Sequence, residues 1–182
     1  MHLKHLAAAL ALAAAPFIAA AGPLDLNWTV SHSGDTYGGS AHSTASADNL
    51  LQYNYTSPGW KGVPNQNYRF STTATEDGVL NLQLDWTAFA SWYQSYTRLY
   101  IFDESGAKLL STNNWANHDK LSAALNLHAG ETWGFYVDAG NYDGTGAVSG
   151  SLGITAVPEP ASLALFGLGL AAVAGLRRRR QG

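Results

Sequence analysis

Four segments of this chain alternate apolar and polar residues with a period of two. Leu24, Leu26, Trp28 and Val30 alternate with Asp25, Asn27 and Thr29, and Leu80, Leu82, Leu84 and Trp86 with Asn81, Gln83 and Asp85. Leu121, Ala123, Leu125 and Leu127 are interleaved with Ser122 and Asn126, and Trp133, Phe135 and Val137 with Gly134 and Asp138. Successive side chains of a strand point to opposite faces, so such a segment gathers its apolar residues on one face only as a β-strand. Shorter candidates lie at 50–55, 67–73, 98–103, 107–111 and 147–155, which makes eight or nine strands. No stretch between Gly22 and Val157 sustains helical periodicity. The expected fold is therefore all-β: a single antiparallel β-sandwich or jelly-roll-like domain over residues 22–156.

Turn chemistry supports this pattern. Asp103-Glu104-Ser105-Gly106 separates two apolar runs and suits a hairpin, and His128-Ala129-Gly130-Glu131 is read the same way for the next pair. Residues 31–48 are rich in Ser, Gly, Ala and His without periodicity, which reads as a long surface loop.

The charges divide the chain into three parts. Residues 22–157 hold five bases (Lys61, Arg69, Arg98, Lys108 and Lys120) against twelve acids, a net of −7 within a whole-chain −3. An acidic domain with scattered bases argues against nucleic acid as a partner, since that needs a clustered basic footprint. Zero cysteines exclude disulfides, thiolate metal sites and thiol nucleophiles.

Residues 1–21 read as a secretory signal peptide: Lys4 near the start, an apolar run from Leu6 to Ala21, and small residues Ala19 and Ala21 at the cleavage positions. At the other end, Pro158-Glu159-Pro160 precedes sixteen uncharged residues, 161–176, and then Arg177, Arg178, Arg179 and Arg180. As a helix those sixteen residues span about 24 Å, a short transmembrane segment that snorkelling arginines make workable. Basic residues stay on the cytoplasmic side, so a precursor is expected with its C-terminus cytoplasmic and residues 22–156 outside. Neither proline has an N–H, and each biases its neighbour to extended backbone, a conformation suited to a processing peptidase.

The order of these three elements over 157–182 closely resembles the PEP-CTERM sorting signal of Gram-negative bacteria. The resemblance implies an exosortase as processing partner, transient residence in the inner membrane through 161–176, and a mature form at the cell surface or outside the cell. It also implies association with exopolysaccharide, biofilm or floc. Within the middle region, Leu99-Tyr100-Ile101-Phe102-Asp103 with Gly106 and Leu109, followed by Leu125, Leu127, Ala129-Gly130-Glu131, Trp133, Phe135 and Val137, resembles bacterial pre-peptidase C-terminal (PPC-like) domains. Phe102 stands where those domains usually have tyrosine. They are secreted β-sandwiches with accessory or binding roles, so the likeness implies no catalytic residues.

The residues themselves offer little catalysis. G-x-S-x-G, H-E-x-x-H and phosphate-loop motifs are absent. Glu76-Asp77 and Asp103-Glu104 precede turn glycines, where acids are solvated turn formers. His32, His42, His118 and His128 fall in expected loops or turns without metal-ligand spacing. Asp138-Ala139-Gly140-Asn141-Tyr142-Asp143-Gly144 fails as a calcium-binding EF-hand loop, because Ala139 and Gly150 occupy positions that need oxygen donors. A weaker site from Asp138, Asn141 and Asp143 stays open. No cofactor is expected.

Six Trp, nine Tyr and four Phe fall in 22–157. Trp60, Trp92, Tyr93, Tyr96 and Trp115 stand in polar stretches and are candidate glycan contacts, since loop aromatics beside Asn and Gln offer flat apolar faces and hydrogen bonds. Capping the open ends of the core is the competing role. Three function classes follow: a non-enzymatic structural or adhesive surface protein, a polysaccharide-binding module, and a small secreted hydrolase.

Overall fold

The computed structural model describes residues 26–34, 39–56, 65–90, 95–113, 116–141 and 147–157. The expected signal peptide with Ala19 and Ala21, the Pro158-Glu159-Pro160 motif, the span 161–176 and Arg177–Arg180 lie outside them. Among the described residues no helix is long and apolar enough to cross a membrane.

Among the described residues ten strands form two five-stranded antiparallel sheets. They are β1 (Thr29–Gly34), β2 (Ser40–Ala45), β3 (Leu50–Thr56), β4 (Asn65–Thr73), β5 (Gly78–Ala90), β6 (Tyr96–Asp103), β7 (Gly106–Asn113), β8 (Asn117–Leu127), β9 (Thr132–Gly140) and β10 (Ala147–Ala156). Sheet A has the order β1-β4-β9-β6-β7 and sheet B the order β2-β3-β10-β5-β8. The all-β sandwich expected from the alternation is present. β5 shows why: Leu82, Leu84, Trp86, Ala88 and Ala90 are buried while Gln83, Asp85, Thr87 and Phe89 face solvent.

The core between the sheets is aromatic. Trp86, Trp133, Tyr55, Tyr68, Phe70 and Phe135 are fully buried. Trp86 stacks on Tyr53 at 5.7 Å and 20°. Trp28, just ahead of β1, packs edge-on against Trp133 at 5.7 Å and donates its indole N–H to Asn49 Oδ1. Residues Pro23–Val157 form one compact unit, and every core residue lies between Leu51 and Ile154. A polypeptide of residues 23–157 therefore contains the hydrophobic core of the described residues and is expected to fold on its own.

Two expectations about connections are overturned. Residues 31–48 are not a loop: they contain the end of β1 and all of β2. Both are edge strands, held by backbone pairing to β4 and β3. Edge strands need little apolar side chain, so Ser, Ala, Thr and His suffice there. Among the described residues the first strand begins at Thr29, and Leu26 and Trp28 ahead of it pack on the core; Leu24 lies outside the described residues.

The 128–131 turn is not a hairpin, because β8 belongs to sheet B and β9 to sheet A. It is an arch fastened to its neighbours by hydrogen bonds. The Glu131 carboxylate accepts from the N–H groups of His128 (2.8 Å) and Glu104 (3.2 Å). Asp77 accepts from Ala129 N–H (2.7 Å), and Ala74 exchanges backbone bonds with Gly130 and Glu131. The 103–106 turn is the expected hairpin, with Asp103 accepting from Ser105 N–H and Gly106 at φ +133°.

Candidate functional site

The outward face of sheet A is set by the strand registers. One cross-strand row reads Ser31, Arg69, Tyr136, Tyr100, Leu109; the next reads Ser33, Asn67, Asp138, Arg98, Thr112. On either side lie the rows Ser71, Gly134, Phe102 and Asn65, Gly140, Tyr96. Every second residue of β6 is thus aromatic or basic and points away from the core. With strands ~4.8 Å apart and ~3.3 Å rise per residue, the aromatic and basic patch over β4, β9 and β6 measures about 10 by 20 Å.

Two glycines shape this face. A Cβ on Gly140 would come within 2.4 Å of Tyr96 Cε1, so the missing side chain lets the Tyr96 ring lie across β9. At Gly134 a Cβ would lie 2.0 Å from the Phe70 carbonyl oxygen. Glycine is thus demanded there by the close approach of the β4 backbone, while the guanidinium of Arg69 on β4 lies over the Phe102 ring on β6, 3.7 Å from its centroid. That geometry is a cation–π contact.

Between the glycines, the rings of Tyr100 and Tyr136 pack at 5.3 Å and 50°, both half-buried. The Tyr136 hydroxyl donates to Asn67 Oδ1. Arg98 donates to Asp138 Oδ2 at 3.5 Å while its guanidinium lies 4.5 Å from the Tyr96 ring centroid. Among the described residues no carboxylate pairs with Arg69, which is exposed. The face therefore holds two arginines against one acid, a local excess of positive charge on a strongly acidic domain.

Burial pushes the Asp138 carboxyl above the ordinary carboxylate range, opposed by Arg98 and by a hydrogen bond from Tyr96. Tyr136 is likewise raised, by burial first and then by Asp138 and Tyr100. Because the folded domain holds the Asp138 proton more tightly than the unfolded chain, this group's contribution to stability is greatest at acid pH. It is lost as pH rises through the folded value. Carbon-detected NMR of Asp138 is expected to give a midpoint above ~3.9, and a midpoint below that would show that Arg98 and Tyr96 outweigh burial.

The single carboxylate bears on chemistry. Glycoside hydrolysis uses a pair of carboxyl groups across the scissile bond, and the described part of this face offers Asp138 alone. Flat rings, hydroxyls, a carboxamide and guanidinium groups instead make a surface for holding a ligand.

Of the five aromatic contacts expected from sequence, Tyr96 belongs to this face; Trp60, Trp92, Tyr93 and Trp115 lie outside the described residues. The strand ends flanking those four (Thr56 and Asn65, Ala90 and Tyr96, Asn113 and Asn117) all lie at one end of the sandwich. Tyr100, Tyr136, Arg69, Arg98 and Asn67 were missed, and Asp138 was singled out only as a candidate calcium ligand. The available signal was the spacing Tyr96, Arg98, Tyr100, Phe102 along one strand.

Other sequence candidates sit elsewhere. His32, His42 and His118 are in strands rather than loops, because edge strands and outward positions tolerate them as readily as turns do; all are exposed, as is His128. His118 Nε2 bonds Asp85 Oδ1 on sheet B. Asp138 is engaged by Arg98, and buried Asn141 accepts from Ser95, so two members of the weak calcium triplet have other partners; Asp143 lies outside the described residues. Among the described residues no group of three or more His, Asp or Glu is arranged to hold a metal ion.

Residues 156–180 match the family model described as the PEP-CTERM protein-sorting motif. The chain carries a PEP-CTERM sorting signal. It is thereby an exported protein whose C-terminal signal marks it for exosortase processing, and Val157 is the last described residue before Pro158-Glu159-Pro160. No curated protein matches the chain.

Solved structures similar to it include the enzymatically active domain of tailspike protein 4 from bacteriophage CBA120 (TM-score 0.38, 12% identity, 75% of this chain and 20% of that one). The chain thus spans a fifth of that protein's length. A second is TmCBM61 in complex with β-1,4-galactotriose (TM-score 0.38, 10% identity, 72% of this chain and 88% of that one). A third is a carbohydrate-binding module of the β-sandwich superfamily (TM-score 0.43, 13% identity, 75% of this chain and 59% of that one).

Proposed function

We propose that the PEP-CTERM chain delivers a non-enzymatic polysaccharide-binding module to the cell surface or extracellular matrix, where it acts as a structural or adhesive component. A signal peptide over 1–21 starts export. The 161–176 segment and Arg177–Arg180 hold the precursor in the inner membrane with its C-terminus cytoplasmic, and an exosortase acting at Pro158-Glu159-Pro160 removes the tail. The accessory role implied by the PPC-like likeness of the middle region agrees with this.

The observation that carries the binding reading is the sheet A face. Tyr100 and Tyr136 present apolar ring surface while Asn67, Arg98 and Asp138 beside them supply donors and acceptors, the combination a sugar ring needs. Arg69, held flat on Phe102 and without a carboxylate partner among the described residues, adds attraction for an acidic sugar. The ligand is accordingly an acidic polysaccharide. The domain's overall negative charge opposes such a ligand, but at physiological ionic strength charges beyond ~8 Å are largely screened, so the groups at the contact decide. The test is retardation of the 23–157 polypeptide in native gels cast with polygalacturonate. Retardation that weakens with added salt supports the reading, and migration unchanged by the polymer rejects it.

A further inference from the structure

The opposite face of the sandwich presents a different surface. On the outside of sheet B one cross-strand row reads His42, Asn54, Ser149, Phe89, and the next reads Thr44, Gln52, Ser151, Thr87, His118. The middle strand β10 contributes Ser149, Ser151 and Gly153 to this face, side chains too short to fill the space between those of β3 and β5. A trough results. One hollow of about 460 Å³ is lined by His42, Thr44, Gln52, Asn54, Thr87 and Phe89 over the β10 serines. A second, of about 600 Å³, lies past Gly153 toward Gln83 and Thr155 and differs in character, since Asp48, Asp85 and Lys120 also line it. The lining of the first hollow runs across β2, β3, β10 and β5, three strand spacings or about 14 Å, enough for a few sugar rings.

The chemistry of the first hollow narrows what fits. Its lining contains no Asp, Glu, Lys or Arg, although residues 22–157 carry seventeen charged side chains. Hydroxyls, carboxamides and one imidazole provide donors and acceptors together. Phe89, 46% exposed, supplies one open ring. An uncharged polyhydroxylated chain can satisfy such a surface without desolvating an ion. A second copy of this chain fits it poorly, because interfaces between copies form around apolar centres and Phe89 is the one exposed large apolar side chain among the described residues of this hollow.

We infer that the uncharged first hollow on the outer face of sheet B is a second carbohydrate site, selective for neutral polysaccharide, which makes the domain a cross-linker between a neutral chain and an acidic one. The cross-linking half rests on the sheet A reading; the sheet B site does not. With the faces on opposite sides of one rigid sandwich, each site engages a different strand, and a matrix gains junctions without any new contact being formed.

The experiment compares three forms of the 23–157 polypeptide, native, Ser151→Trp and Tyr100→Ala/Tyr136→Ala, in native gels containing hydroxyethylcellulose or polygalacturonate. Ser151→Trp places an indole in the trough and is expected to weaken hydroxyethylcellulose binding at least tenfold, with polygalacturonate binding unchanged within twofold. The double tyrosine variant is expected to do the opposite. Failure of the native protein to bind hydroxyethylcellulose, or native-like binding by Ser151→Trp, overturns the sheet B site. Hydroxyethylcellulose binding lost in Ser151→Trp, beside absent polygalacturonate binding in the native protein, upholds the sheet B site and removes the sheet A reading and cross-linking with it. If circular dichroism shows Ser151→Trp unfolded, Gln52→Ala/Asn54→Ala replaces it, with the same tenfold loss expected and native-like binding again overturning the site.

Discussion

Trp86→Ala is expected to destabilise the domain by about 3–5 kcal/mol, the range for deleting a large buried aromatic. Trp86 is fully buried at the centre of β5, stacked on Tyr53 and paired across the sheet with Leu152 of β10 and Asp119 of β8. Removing the indole leaves a hollow between two sheets whose backbones are fixed by ladders on both sides, so little collapse can fill it. Domains of this size are held by only about 5–15 kcal/mol, which places the variant close to unfolding. The indole N–H finds no partner among the described residues, so the ring contributes through packing alone. Trp86→Phe, which keeps a ring and removes an unpaired donor, is expected to cost less than half as much. Urea unfolding of the 23–157 polypeptide measures both, and a loss below ~1.5 kcal/mol for Trp86→Ala would contradict the packing described.

Tyr100→Ala/Tyr136→Ala is expected to remove most of the affinity of the sheet A face for acidic polysaccharide. The rings meet at 5.3 Å and are half-buried, so their outer surfaces form the floor of the proposed contact. An aromatic contact is worth about 0.5–1.5 kcal/mol. Loss of two therefore raises Kd roughly 5- to 140-fold, at tenfold for each ~1.4 kcal/mol. Tyr100→Phe/Tyr136→Phe keeps the rings and removes the Tyr136 bond to Asn67, so its loss should be several-fold smaller. Equal losses in the two doubles would assign recognition to the hydroxyls instead of the rings. Since both tyrosines lie outside the core, circular dichroism of either double should match the native domain.

The sandwich was legible in the sequence wherever burial is one-sided. Leu82, Leu84 and Trp86 mark β5 because their neighbours are polar, and Trp133, Phe135 and Val137 mark β9 in the same way. β2 and the part of β1 after Val30 were not legible, since their pairing rests on backbone hydrogen bonds and their side chains are Ser, Ala, Thr and His. The 128–131 arch looked like a hairpin because Ala-Gly turn chemistry is the same whether the next strand joins one sheet or the other. Only pairing of β9 with β4 and β6, distant in sequence, decides between them.

The candidate site was half visible for a related reason. Tyr96 stood out in a polar stretch, whereas Tyr100 lies in Leu99-Tyr100-Ile101-Phe102, which reads as continuous apolar sequence. Its outward direction follows from strand parity. Its meeting with Tyr136, 36 positions later, follows only from the β6–β9 register. Gly140 gave no local sign that it makes room for the Tyr96 ring, nor Gly134 that the β4 backbone approaches it.

The most direct measurement of the central claim is a two-dimensional NMR titration of the 23–157 polypeptide with oligogalacturonate. The expected result is that amide and side-chain shifts change for Arg69, Arg98, Tyr100, Tyr136 and Asp138 together, saturating with one affinity, while β3 and β10 stay unmoved. Saturable shifts confined to sheet B or to the ends of the sandwich, with sheet A unperturbed, would contradict it.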